Sequence, residues 1–130
     1  SDCPKEVLTV SLNEASNNPA YVLGRLFSIY ENVQQAANRG IKATIKDKYF
    51  NSAAAMPASI FPVLNNLYQK HLRKLSPGLR KYFDNQVVGL KSKLGESYPV
   101  RMTLAQQGAF DLGYYHQRNS KSNGEDQNND

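Results

Sequence analysis

Lysine and arginine side chains recur at helical spacing in two stretches of this sequence. In each stretch a pair of cations is four residues apart, and further cations lie close by. Like charges at this spacing on a helix repel each other by about a few tenths of a kcal/mol, which bound phosphates would relieve. These cations have two interpretations. They form either a solvent-exposed face that binds no ligand or a surface that binds phosphates. The candidate nucleic-acid-binding residues are Lys42, Lys46, Lys48, Lys70, Arg73, Lys74, Arg80 and Lys81.

Residues that could carry out catalysis are few and scattered. Neither His71 nor His116 has a His, Cys, Asp or Glu three or four residues away, so no helix presents a two-ligand metal face. Asp47 and Asp84 stand close to lysine or arginine in sequence, which indicates local surface ion pairs such as Asp84 with Arg80. Phosphate-binding glycine loops and nucleophile motifs are absent. The sequence therefore predicts a protein that is not an enzyme and has no catalytic residues, metal site or cofactor.

Length and composition fit a single domain in a reducing compartment. The chain has 130 residues, and its only cysteine, Cys3, cannot form an internal disulfide. No signal peptide or membrane span is visible in the sequence, so we expect a cytoplasmic location. The net charge is +5, but residues 19–118 hold 14 basic and 5 acidic side chains, a net of +9. A basic body of this kind is typical of a polyanion-binding protein.

The hydrophobic pattern has a helical period from Pro19 to Arg118. It predicts an all-α fold, a single compact bundle of about five helices. Residues 1–18 are predicted to form an extended arm whose apolar residues could dock on the body, namely Val7, Leu8, Val10 and Leu12. Residues 119–130 lack aromatic and aliphatic side chains, which predicts a disordered acidic and polar tail.

Capping residues and helix breakers place the helix ends. Asn18 precedes Pro19 at the first helix start, and Gly40 stops that helix. We expect the third helix to be capped by Ser59, with Pro62 in its first turn. The other predicted boundaries are a second helix over Thr44–Ala55, a fourth from Pro77 to Gly95 with Phe83, Val87, Leu90 and Leu94 on one face, and a fifth from the capping-box spacing Thr103–Gln106 to about Arg118.

Three segments resemble a known family. Ala20–Asn38 (AYVLGRLFSIYENVQQAAN), Thr44–Leu75 and Tyr98–Arg118, which closes on GYYHQR, are similar to the C-terminal helical domain of the large subunit of type I-C CRISPR effector (Cascade) complexes. One departure is Met56, because the family tends to have a small polar residue before Pro57. That departure favours Ser59 as the helix cap.

The resemblance implies a role as a Cascade small subunit, which in that family is made by internal translation of the same reading frame. It implies a helical bundle that helps to hold the guide-RNA filament and stabilises the R-loop. Its partners would be the guide-RNA-bearing backbone and large subunits, further copies of itself, and the sugar-phosphate backbone of the displaced non-target DNA strand. The resemblance transfers no individual DNA-binding residue. Within the matching segments, Gly24, Arg25, Gly108 and Gly113 are interpreted as structural.

Two alternatives remain open from the sequence. The basic face could dock acidic protein surfaces without touching nucleic acid. A small nuclease or hydrolase is the alternative from the enzyme class.

Overall fold

The computed structural model describes residues 12–95 and 97–129, with side chains described as far as residue 120. Within these ranges the chain forms helices and no strand, which confirms the all-α prediction. The helices are α1 (Pro19–Ala37), α2 (Ile45–Ala55), α3 (Pro57–Leu72), α4 (Pro77–Lys91) and α5 (Leu104–Asn129).

Helix α1 forms the centre of the bundle. Its residues from Ala20 to Val33 are all buried, and α2, α3, α4 and α5 each pack against it. A helix enclosed on every side must be apolar around most of its circumference. Its start follows the prediction, because the Asn18 side chain accepts a hydrogen bond of 3.0 Å from the Ala20 amide. Gly40 follows its end with φ of 85°, a left-handed conformation that favours glycine.

Two glycines bring α1 and α5 into backbone contact. A Cβ atom on Gly24 would stand 2.0 Å from the Phe110 carbonyl oxygen, and one on Gly113 would stand 2.1 Å from the Tyr21 carbonyl oxygen. Both distances are far inside van der Waals contact, so only glycine fits at these two positions. The structural interpretation of Gly24 and Gly113 is confirmed. Gly108 faces open space instead, so close packing does not explain it.

Aromatic rings pack between α1 and its neighbouring helices. Phe27 meets Phe50, Phe110 and Tyr114 edge to face, with ring centroids 5.4–5.9 Å apart. Tyr30 stacks on Tyr68 at 4.6 Å. Such geometries add roughly 0.5–1.5 kcal/mol per pair beyond the burial of area. These ring contacts therefore fix α2, α3 and α5 against α1.

The predicted start of the third helix is wrong. Helix α3 begins at Pro57 rather than after Ser59, and Pro62 lies inside the helix rather than in its first turn. Proline at the first helical position needs no amide partner, and its fixed φ suits a helix start. The next amide, that of Ala58, donates to the Pro99 carbonyl at 3.0 Å, so the segment before α5 satisfies it in place of a side-chain cap.

The remaining boundaries agree in part with the sequence. Thr103 and Gln106 exchange the two hydrogen bonds of a capping box at the start of α5, as predicted. Helix α4 ends at Lys91, earlier than the predicted Gly95, and turns of the i to i+3 type carry the chain through Leu94. Helix α5 is described as far as Asn129, beyond its predicted end near Arg118. Residues 1–11 of the predicted arm, and the tail side chains beyond residue 120, lie outside what the structure describes.

Candidate nucleic-acid interface

The first group of predicted cations surrounds the start of α2. Thr44 caps this helix, and its amide donates to the Asp47 carboxylate at 2.8 Å, which completes a capping box. Lys42 therefore precedes the helix, and the predicted helical pairing of Lys42 with Lys46 is wrong. Asp47 caps the helix, whereas the sequence predicted surface pairing with its lysine neighbours.

Lys46 packs against aromatic rings. Its Nζ lies 5.0 Å from the centre of the Phe50 ring and 5.9 Å from the centres of the Tyr114 and Tyr115 rings. The side chain is half-buried, so these cation–π contacts are partly shielded from water. Lys48 is exposed, with its Nζ 5.3 Å from the Tyr49 ring centre. The ammonium of Lys46 is thus engaged within the fold, in contrast to the exposed Lys42 and Lys48.

The second group of cations clusters where α3 ends and α4 begins. We call these five residues the α3–α4 basic turn. Helix α3 ends at Leu72, and a short turn leads to Ser76, which caps α4. All five side chains are exposed to solvent. The members of the α3–α4 basic turn are Lys70, Arg73, Lys74, Arg80 and Lys81.

Few acidic side chains are available to neutralise this turn. Residues 48–83 contain six lysines and arginines and no aspartate or glutamate. The first carboxylate after them, Asp84, accepts a hydrogen bond of 2.8 Å from the buried Tyr68 hydroxyl. The expected surface pairing of Asp84 with Arg80 is therefore wrong. Asp84 is the only carboxylate in residues 48–95, so the five cations of this turn outnumber the acidic side chains beside them.

A buried histidine reports the local potential. His71 is 8% exposed and lies on the last turn of α3, between Lys70 and Lys74 in the sequence. Burial lowers the pKa of its imidazole, and the nearby charges of Lys74 and Lys70 lower the pKa further. His71 is therefore a packed core residue. The two lysines place positive charge beside its imidazole.

Cations near a helix end also have a structural explanation. Lys70 lies in the last turn of α3, where the helix dipole favours a positive charge. Arg80 and Lys81 are instead near the start of α4, where the dipole opposes a positive charge. The helix dipole therefore explains the position of Lys70 but not the positions of Arg80 and Lys81.

Tyr82 is a candidate that the sequence interpretation missed. It is 57% exposed and follows Arg80 and Lys81 directly on α4. An exposed ring beside cations can stack on an unpaired base. The signal was present in the sequence, because the buried stripe runs through Phe83 and Val87 and leaves Tyr82 off it. Tyr68, by contrast, is buried in the core and is not available for stacking.

Several polar residues of the interior form hydrogen bonds with one another. Glu31 accepts hydrogen bonds from the hydroxyls of Tyr114 and Thr44. The Tyr21 hydroxyl lies 2.8 Å from Nδ1 of His116. Among the residues that the structure describes, no three His, Cys, Asp or Glu side chains converge on a common metal position. None of the helices described is both long and apolar enough to cross a membrane.

Comparison with known proteins places the chain in a family. The family model described as CRISPR-associated protein (Cas_Csd1) matches residues 1–121, which is nearly the whole sequence. No curated protein sequence matches the chain closely enough to count as a relative.

Proposed function

The chain belongs to the Csd1 family of CRISPR-associated proteins, and from that membership we propose that it acts as the non-catalytic small subunit of a type I-C Cascade. In this role it binds the sugar-phosphate backbone of single-stranded DNA, chiefly the displaced non-target strand. It also helps to hold the guide-RNA filament, beside the backbone and large subunits and further copies of itself.

The observation that carries this proposal is the α3–α4 basic turn. Five exposed cations lie within twelve residues, and residues 48–83 hold no carboxylate. Besides burial, the charges of Lys74 and Lys70 lower the pKa of the neighbouring His71. Phosphates would supply the missing negative charge, and binding would release the counterions condensed on the strand. Contacts of this kind carry no sequence information, which suits a complex whose guide RNA reads the target.

The interface is centred on α3 and α4 rather than spread evenly over the predicted residues. Lys42 and Lys48 are exposed and stay in the proposed site as outlying contacts. Lys46 is the weakest member, because its ammonium already faces three aromatic rings. Tyr82 is added as a residue that can stack on a base.

An assay of R-loop formation by the assembled complex tests this function. We expect the double charge reversal Lys70→Glu with Lys74→Glu to impair R-loop formation strongly and to leave assembly with guide RNA intact. Charge reversal of Arg101 and Arg118, two exposed residues beside or on α5, changes the net charge equally and is the matched control. Loss of assembly together with R-loop formation would assign the turn to protein or guide-RNA contacts instead.

A protein-docking role has its own support on a different face. Near and along α5, Val100 is 71% exposed, Leu104 85% and Leu112 53%. Apolar side chains that protrude this far are typical of surfaces that meet another protein. Substituting Leu104 and Leu112 with Ser should therefore weaken co-purification with the other Cascade subunits and leave DNA binding by the isolated chain unchanged. Unchanged co-purification would rule out this face as the docking site.

A further inference from the structure

A groove of about 650 Å³ lies between α4 and α5, with α1 as its floor. It forms because α4 and α5 each pack on α1 and diverge from each other. Ile29 and Leu90 contribute apolar surface, while Arg25 and Gln117 contribute polar groups. None of the five cations of the α3–α4 basic turn lines the groove, although Tyr82 lies at the border of both regions.

One buried donor in this groove lacks an acceptor. The Arg25 side chain is 8% exposed, and its Nε donates to Oε1 of Gln117 at 2.8 Å. Its Nη1 has no hydrogen-bond partner among the described residues. Burial also lowers the pKa of Arg25, since the charged form is separated from water. A buried cation with an unused donor is costly, so the groove is suited to an occupant that brings a carboxylate or a carbonyl.

The mixture of apolar and polar residues in the lining selects the class of occupant. A DNA strand would bring hydrated phosphates against Ile29 and Leu90, which is unfavourable. A peptide can place aliphatic side chains there and still present an acceptor to Arg25. The groove therefore fits an acidic and apolar peptide segment better than a nucleic acid.

The path of the chain supplies such a segment. Leu12 and Glu14 already line the groove, and Nζ of Lys93 donates to the Glu14 carbonyl at 2.7 Å. Leu12, the residue to which residues 1–11 are joined, therefore lies at the groove. Residues 1–11 include Glu6 followed by Val7, Leu8 and Val10.

We propose that residues 4–11 dock in this groove and that the carboxylate of Glu6 accepts the unused hydrogen bond of Arg25. Glu6 stands six positions before Leu12, a reach of about 20 Å if the segment is extended. Leu12 and Arg25 line the same groove, so an extended segment of this length can bring Glu6 to Arg25. Docking connects α4 to α5 and so holds the α3–α4 basic turn in place relative to the rest of the bundle. This inference stands on the groove and Arg25, and it is independent of the DNA-binding proposal.

The single cysteine makes a direct test possible. A nitroxide attached to Cys3 of the full chain labels the segment at one position without any further substitution. We expect the label to broaden the amide NMR signals of Tyr82 and Gly89, on the groove side of α4, more than those of Lys48 and Asn51 on α2. Equal broadening on both helices, or none on α4, would overturn the proposal.

Two variants and a mixed sample make the test specific. Glu6→Gln should lower the equilibrium constant for docking about tenfold, because a charge-assisted hydrogen bond becomes a neutral one. Asp2→Asn removes a carboxylate from the same segment and should leave the broadening unchanged. Equal effects of the two variants would remove Glu6 from the contact. The mixed sample combines two kinds of chain. One carries the nitroxide on Cys3 and no isotope label, and the other is ¹⁵N-labelled and carries Cys3→Ser. Broadening of the ¹⁵N chains would show that the segment docks on a second copy and would overturn docking within one chain.

Discussion

The cations around α2 and those of the α3–α4 basic turn look alike in sequence and differ in the folded protein. Both groups contain two lysines four residues apart with further cations nearby. At α2 the central member, Lys46, covers the rings of Phe50 and Tyr114. At the turn, all five cations extend into solvent. Charge and spacing locate cations on a helix, but the packing partner decides whether a cation is available to a ligand.

The two groups differ because the α2 group includes a lysine that contacts rings of α5. Helix α2 packs against α5, whose Tyr114 and Tyr115 provide rings for Lys46. The basic turn joins two helices that pack on α1, and its side chains point away from the core. Breaking the α1–α5 contact should therefore affect the two regions unequally.

The largest expected effect comes from Gly24→Ala. The new Cβ would collide with the Phe110 carbonyl oxygen, and neither backbone can yield without moving a whole helix. We expect a loss of about 3 kcal/mol in the free energy of unfolding, measured by urea denaturation. The matched control is Gly108→Ala on α5, which faces open space and should stabilise the helix by about 0.5–1 kcal/mol. A Gly24→Ala protein as stable as the parent would contradict the close crossing.

A smaller effect on stability should separate the two lysine environments. Lys46→Ala removes half-buried contacts with aromatic rings and should cost about 1 kcal/mol in thermal or urea unfolding. Lys70→Ala removes an exposed side chain and should change stability by about 0.5 kcal/mol or less. Equal losses in the two variants would mean that Lys46 is as solvated as Lys70.

The field of the basic turn should be visible in the titration of His71. Its folded-state pKa lies below the ordinary value of 6.5, so the unfolded chain binds the proton more tightly. The contribution of neutral His71 to stability is complete above pH 6.5 and is lost as the pH falls from there through the folded-state pKa. Lys74→Ala should raise the pKa of His71, measured by NMR titration of the imidazole, whereas Lys48→Ala should leave it in place. A His71 pKa unchanged by Lys74→Ala would contradict the electrostatic account.

The sequence predicts the helices well because their signals are local. The Asn18 cap, the Thr103–Gln106 capping box and the apolar stripes each act within one or two turns of helix. The start of α3 could not be predicted in this way, because the Ala58 amide is satisfied by Pro99, some forty residues away in sequence. The same applies to Asp84, whose partner Tyr68 lies on another helix.

In the candidate site, too, the sequence predicted the features that depend on local signals and missed those that depend on packing between helices. Composition and spacing located every exposed cation of the basic turn. The aromatic contacts of Lys46 depend on how α2 meets α5, which no local pattern contains. Tyr82 was within reach of the sequence, because its place outside the buried stripe already indicated an exposed ring.

The salt dependence of binding to single-stranded DNA by the isolated chain tests the central claim most directly. If the five cations of the basic turn each neutralise one phosphate, the slope of log K against log salt concentration should be about −3.5. Lys70→Ala should make the slope shallower by about 0.7, equally for every DNA sequence, and Lys46→Ala should leave it unchanged. The same slope in the Lys70→Ala protein as in the parent, or an equal flattening by Lys46→Ala, would contradict the assignment of DNA binding to the α3–α4 basic turn.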